Sequence, residues 1–322
     1  NTYTDFALIN LGGVKPDGSD AVNDLSYVIL DVIEEMRLLQ PSSMIQISKK
    51  NPDTFVNRAM KIVKTGFGQP SIFNTDALVQ ELVHQGKSFE DARNGGASGC
   101  IEVGAFGTEA YFLTGYFSLP KILELTLHNG MDPRTGEQIG LKTGDISTIG
   151  SYEQLLKAYK EQLDHFINIK IKGNCIIERI FARYLPVPFL SLIIDDCIEN
   201  GSDYVAGGAR YNSSYIQGVG LGTLTDSLTA LRYHVFDNAN YTMQEFVTAL
   251  SQNFNESEKL RLALIYDTPK YGNDDDYADE QLAFIYDAFL SAVNGKRNTR
   301  GGVHRIIFLP TTSHVYFGSV LG

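Results

Sequence analysis

Ten consecutive residues, Gly95-Gly96-Ala97-Ser98-Gly99-Cys100-Ile101-Glu102-Val103-Gly104, carry almost no side-chain bulk. Small residues let a backbone turn sharply and approach other backbone or a ligand closely, a demand that a plain connecting loop does not make over ten positions. If the segment is extended, Cys100 and Glu102 project to the same side, because side chains alternate along a strand. A thiol and a carboxylate then share one pocket wall. On spacing alone the pair is ordinary, since a free cysteine is commonly a small buried hydrophobe. The identity of the neighbour is more telling. A nucleophilic cysteine needs a base or cation beside it to lower its pKa, whereas Glu102 raises it and keeps the thiol protonated. That disfavours a cysteine hydrolase and favours chemistry on an S–H bond.

The rest of the chain removes other classes. A formal charge of -11 over 322 residues, with no cluster of Lys and Arg, speaks against a nucleic-acid partner. No run approaches the roughly 20 apolar residues of a membrane span, and the N-terminus lacks the basic-then-apolar pattern of a secretory signal. A cytoplasmic location is expected. Cysteines at 100, 175 and 197 form neither a disulfide framework nor a C-x-x-C ligand pair. The histidines show no metal-ligand spacing, Asp274 to Asp276 lack the glycine and distal glutamate of a calcium loop, and no metal is expected. Gly218-Val219-Gly220-Leu221-Gly222 is half of a dinucleotide fingerprint without its full spacing and reads as close packing.

Periodicity sets an α/β frame. Val22, Leu25, Ile29, Val32, Met36 and Leu39 mark one face of a helix over 21–40. Asp53 caps a second helix carrying Phe55, Ala59 and Ile62, and Thr75 and Gly86 bracket a third. Ser118 and Pro120 open a helix through Leu127; Ser151 with Gln154 starts a long one to about Lys172. Further helices are predicted over 223–236, 242–253 and 277–294, and Val303 to Leu309 reads as a buried strand stopped by Pro310. Helical and strand-like segments alternate, and neither a repeat nor a low-complexity linker interrupts them, so one large α/β domain is expected.

Gly99-Cys100-Ile101-Glu102 resembles the Gly-Cys-x-Glu loop of glycyl radical enzymes, the pyruvate formate-lyase-like family. Flanking strings agree: Gly66-Phe67-Gly68-Gln69-Pro70-Ser71, Ala206-Gly207-Gly208-Ala209-Arg210-Tyr211-Asn212, Gln217 to Leu221, Tyr271 to Asp276, and His314 to Gly322. The resemblance implies a ten-stranded α/β barrel of two antiparallel five-stranded half-barrels surrounded by helices, with the cysteine loop reaching its centre. It implies a glycyl radical cofactor on a glycine outside these residues, installed by a radical-SAM activating enzyme, with Cys100 and Glu102 as the catalytic pair. The Arg-Val-x-Gly-Tyr-type loop that bears the radical does not occur here. Residues 1–322 are thus expected to be the central part of the barrel domain, lacking its N-terminal part and the C-terminal glycyl radical domain.

Family members acting on diols continue the loop as Cys-Val-Glu-Pro, whereas Val103-Gly104-Ala105-Phe106-Gly107 follows Glu102 here. With Glu109-Ala110-Tyr111 and Leu113-Thr114-Gly115-Tyr116, the chain resembles the branch that dehydrates trans-4-hydroxy-L-proline to 1-pyrroline-5-carboxylate. That resemblance assigns substrate contacts to Tyr116, Asp5, Phe6 and Thr311. Three of them have a plainer alternative: Phe6 as a core aromatic, Tyr116 as a staple on the helix near Ser118, Asp5 as a turn cap. It also implies a homodimer and the cytoplasm of an anaerobic bacterium. Three further readings stay open, a catalytically silent barrel, a lyase or dehydratase for a diol or another small polar molecule, and a cysteine-nucleophile hydrolase, which a histidine within hydrogen-bond reach of Cys100 would support.

Overall fold

The computed structural model describes residues 7–309 and 313–321. Strand and helix alternate from the start. Strands β1 (Leu8–Gly12), β2 (Ser42–Ile47) and β3 (Ser71–Asn74) form a parallel sheet in that order, with helices α1 (Asp24–Met36) and α2 (Asp53–Val63) as the crossovers. Parallel neighbours need such crossovers, and the helices cover the sheet with apolar side chains. Leu11 and Ile45 from the sheet pack with Leu30 of α1 and Phe55, Ala59 and Ile62 of α2, the last three being the stripe expected from sequence.

Helices α3 (Thr75–His84) and α4 (Phe89–Arg93) precede a two-stranded antiparallel hairpin of β4 (Gly95–Ala97) and β5 (Val103–Ala105). Strand β6 (Glu109–Ser118) follows, then α5 (Leu119–Leu127), the long α6 (Tyr152–Tyr184), the short α7 (Pro188–Ser191) and β7 (Tyr211–Val219). Helix α8 (Leu221–Leu231) runs into one turn of wider π-helix at Arg232–Asp237. It is followed by α9 (Met243–Ser251), α10 (Glu258–Tyr266), α11 (Asp276–Val293), β8 (His304–Phe308) and α12 (Ser313–Leu321). Strands β6, β7 and β8 form the third sheet in that order, β7 and β8 being parallel with Ser214 opposite His304.

The chain divides into two compact units. One comprises 1–111 with 181–212, the other 112–180 with 213–322. The second holds the larger core, in which Leu119, Ile122, Leu155, Tyr159, Leu163, Ile216, Leu224, Leu228 and Phe289 are all nearly or fully buried. It also holds a buried ion pair. Arg300 Nε lies 3.5 Å from Glu178 Oε1, while the Thr299 backbone N–H and hydroxyl donate to Glu178 Oε2 at 2.9 and 2.6 Å. Burial pushes the Glu178 carboxyl up, but these donors and the Ser214 hydroxyl outweigh it and hold it below the usual range.

Several boundaries differ from expectation for local reasons. Asn23, not a residue near 21, caps α1 through a capping box with Ser26. On that helix Leu30 is buried and Ile29 packs against the same core while Leu25, Val32 and Met36 are exposed, so only part of the apolar stripe read from sequence is turned to this sheet. Asp53 is the first residue of α2 and Pro52 its cap, without a side-chain bond; Asp53 acts there only as a favourable first-turn charge. Helix α6 passes Lys172 and Gly173 and continues to Tyr184, because Asn174 donates to the Thr114 hydroxyl at 3.0 Å and Glu178 is anchored as above. The expected α/β class holds, with the eight described strands distributed over three sheets.

Candidate active site

The stretch around Cys100 is a tight hairpin rather than an extended segment. Gly95 pairs with Ala105, Gly96 with Gly104 and Ala97 with Val103, and the Ser98 N–H donates to the Glu102 carbonyl at 2.8 Å. Five residues, Ser98 to Glu102, therefore form the loop. Cys100 lies at its tip and is exposed, while Glu102 is 5 % exposed at its base. The alternation expected of an extended strand does not apply, yet the two side chains still belong to one loop.

The small residues are explained by what they touch. Glu102 Oε2 accepts from the Ile101 N–H at 2.9 Å, which folds the carboxylate back beneath the loop. A Cβ on Gly99 would fall on that carboxyl group, 2.6 Å from its Cδ. A Cβ on Gly96 would meet the Phe106 ring at 2.6 Å and Asn10 Oδ1 at 2.7 Å. Glycine at these two positions lets the carboxylate and the adjoining strand approach the loop backbone.

Partial desolvation, and then the negative charge of Glu102, push the Cys100 thiol above its ordinary pKa. That is the reverse of what a thiolate nucleophile requires and matches a sulfur that keeps its hydrogen. Among the described residues no group of three or more His, Cys, Asp or Glu side chains is placed to hold a metal ion.

Four residues hold the hairpin, of which the sequence marks only Glu109, as part of a family string and not as a structural partner. Asn10 of β1 accepts from the Ala97 N–H at 3.1 Å and donates to the Ala97 carbonyl at 2.9 Å. Gln46 of β2 donates to Gly95 O at 3.2 Å and to Asn10 Oδ1 at 3.3 Å. Behind β5, Glu109 accepts from the Ala105 N–H at 3.0 Å and pairs with Lys87 at 3.1 Å, the two side chains being 1 % and 2 % exposed. Lys87 also lies 5.7 Å from the centre of the Tyr211 ring, whose hydroxyl donates to Asp91 at 2.8 Å. For Asn10, Gln46 and Glu109 the only local sequence signal was a polar side chain in a strand, and Lys87, in the turn after α3, had none.

Tyr116 belongs to the second unit. It sits on β6, about half exposed, with its ring edge-on to Phe317 of α12 at 6.4 Å between centroids. Asp5, Phe6 and Thr311 lie outside the described residues.

Residues 1–318 match the pyruvate formate lyase-like family. The chain belongs to that family. It is 56% identical over 322 residues to the trans-4-hydroxy-L-proline dehydratase of Clostridioides difficile, covering all of this chain and 41% of the relative. The crystal structure of hydroxyproline dehydratase from the same organism, with trans-4-hydroxy-L-proline bound, superposes with a TM-score of 0.97, covering 100% of this chain and 41% of that one. The glycerol-bound B12-independent glycerol dehydratase of Clostridium butyricum gives a TM-score of 0.94 at 35% identity, covering 99% and 40%. This chain thus spans about two fifths of the length of these family members, and its α/β fold is that of the corresponding part of each.

Proposed function

We propose that these residues are the central, thiol-bearing part of a glycyl radical dehydratase that converts trans-4-hydroxy-L-proline to 1-pyrroline-5-carboxylate and water. The observation that carries the reading is 56% identity along the whole chain to a trans-4-hydroxy-L-proline dehydratase, against 35% to the glycerol enzyme. In this reading the barrel is the ten-stranded one of two half-barrels, completed by polypeptide outside residues 1–322. The glycyl radical, carried there and installed by a radical-SAM activating enzyme, supplies the unpaired electron. The protein works as a homodimer in the cytoplasm of an anaerobic bacterium.

The chemistry follows from the two loop residues. Cys100 gives up its hydrogen atom, and the resulting thiyl takes one from C5 of the ring, beside the nitrogen. Hydroxide is a poor leaving group at neutral pH, so the C4 oxygen must be protonated as its bond to carbon breaks. Glu102 manages that proton. A proton lost from the ring makes up for the one given to the leaving oxygen, and return of the hydrogen atom from Cys100 to the product radical regenerates the thiyl, leaving an unsaturated ring and one water. The raised pKa of Cys100 supports this use, because an ionised thiol has no hydrogen atom to exchange. Tyr116 is proposed to face the ring of the substrate, Asp5 to meet its ammonium group, and Phe6 and Thr311 to complete the pocket.

The test is a substrate panel. Activated full-length protein is offered trans-4-hydroxy-L-proline, glycerol, propane-1,2-diol and isethionate separately under anaerobic conditions. Pyrroline carboxylate from the first, with the others untouched, supports the proposal. Consumption of a diol or isethionate in its place keeps the family and overturns the substrate. No turnover despite a measured glycyl radical favours the silent barrel.

A further inference from the structure

We propose that Asn10 is a positioning residue for the Cys100 thiol, held in orientation by Gln46. The inference rests on the reading that Cys100 exchanges a hydrogen atom with the substrate. Ala97 is the last residue of β4 before the loop, and both of its backbone groups are taken up by the one carboxamide of Asn10, at 3.1 and 2.9 Å. That side chain replaces a neighbouring strand: it joins β4 to β1 of the parallel sheet at a single point. Its direction is fixed as well. The amide nitrogen of Gln46, a buried residue, donates to Asn10 Oδ1 and to Gly95 O, which leaves Asn10 Nδ2 facing the Ala97 carbonyl. Gly96 is bare where this tether passes, its missing Cβ being the space that Asn10 Oδ1 approaches.

Hydrogen-atom transfer depends steeply on the distance between the reacting atoms. A shift of about 1 Å at the loop base is enough to cost about 100-fold in rate. Carbonyl and N–H of Ala97 are the nearest points to Cys100 at which β1 fixes the hairpin from outside it. The neighbouring main-chain bond, Ser98 N–H to Glu102 carbonyl, closes the loop on itself without locating it.

The experiment compares wild type, Asn10→Asp and Gln46→Glu in activated full-length protein. Aspartate matches asparagine in shape and keeps the acceptor for Ala97 N–H, but once ionised it has no donor for the Ala97 carbonyl. The expected result is a fall of about 100-fold in kcat with KM changed less than about twofold, the scale of a mispositioned reacting group. The deuterium isotope effect with C5-deuterated substrate is expected to rise. Activity of Asn10→Asp should also recover as the pH is lowered, because the protonated carboxyl regains a donor. Should Asn10→Asp fail to fold, Gln46→Glu, which removes the donor that orients Asn10, is read in its place. Wild-type kcat and isotope effect in the folded variants overturn the proposal, as does a loss that only tracks the folded fraction. Failure of the wild type to turn over hydroxyproline at all would instead refute the underlying function.

Discussion

Cys100 and Glu102 oppose each other electrostatically. The carboxylate charge and partial desolvation both favour the neutral thiol. Replacing Glu102 by glutamine keeps an acceptor for the Ile101 N–H and removes the charge. The alkylation rate of Cys100, followed by mass spectrometry against pH, should then shift to lower pH, since removing a like charge lets the thiolate form more readily. An unchanged or upward-shifted profile would mean that Glu102 does not act on the thiol. That the two share one loop was legible in the sequence because they lie two positions apart in a run without bulk, although the alternation expected of an extended strand does not place them. Asn10 was not, because its partner Ala97 is 87 positions away and one asparagine in a strand looks like an ordinary polar alternation. Nothing local distinguishes a residue whose importance is a long-range contact.

At the scale of elements, the hairpin depends on a buried ion pair at its back. Lys87 follows α3 and Glu109 opens β6, and both side chains are almost wholly out of water. Removing one partner strands the other's charge, which costs about 3–5 kcal/mol. Lys87→Met is therefore expected to lower stability by about that amount in urea unfolding, and Lys87→Met with Glu109→Gln to recover part of it. A single variant within about 1 kcal/mol of wild type would show that the pair is solvated or replaceable. Elements carrying strong local signals were read well. Helix α11 was expected over 277–294 and runs from Asp276 to Val293, with Asp275 as its cap. Helix α6, expected to end near Lys172, runs through Gly173 to Tyr184, and its continuation rests on the tertiary anchors of Asn174 and Glu178. Helix α10 went unread, its apolar residues too weakly segregated to mark a face.

At the scale of the whole molecule, the division into two units had no sequence signature, because the chain passes between them inside β6, α6 and β7 rather than through a polar linker. The second unit carries two buried histidines, His234 and His304, whose pKa values are pushed below 6.5 chiefly by desolvation. The unfolded chain therefore binds protons more readily than the folded unit. Stability from these groups is fully present above 6.5 and is lost as the pH falls from there through the folded pKa values. Urea midpoints should fall over that window, and His234→Gln with His304→Gln should flatten the fall; an identical slope in the double variant would assign it to the carboxylates. Family membership, by contrast, was legible from motifs spread along the full length, which is why the fold class could be anticipated before any contact was known.

The most direct test of the central claim is to activate full-length wild-type protein and its Cys100→Ser variant, and to measure the glycyl radical and pyrroline carboxylate in the same anaerobic samples. The account predicts a glycyl radical in both and product only in wild type. Product from the serine variant at a comparable rate would contradict a thiyl role for Cys100 and the mechanism built on it.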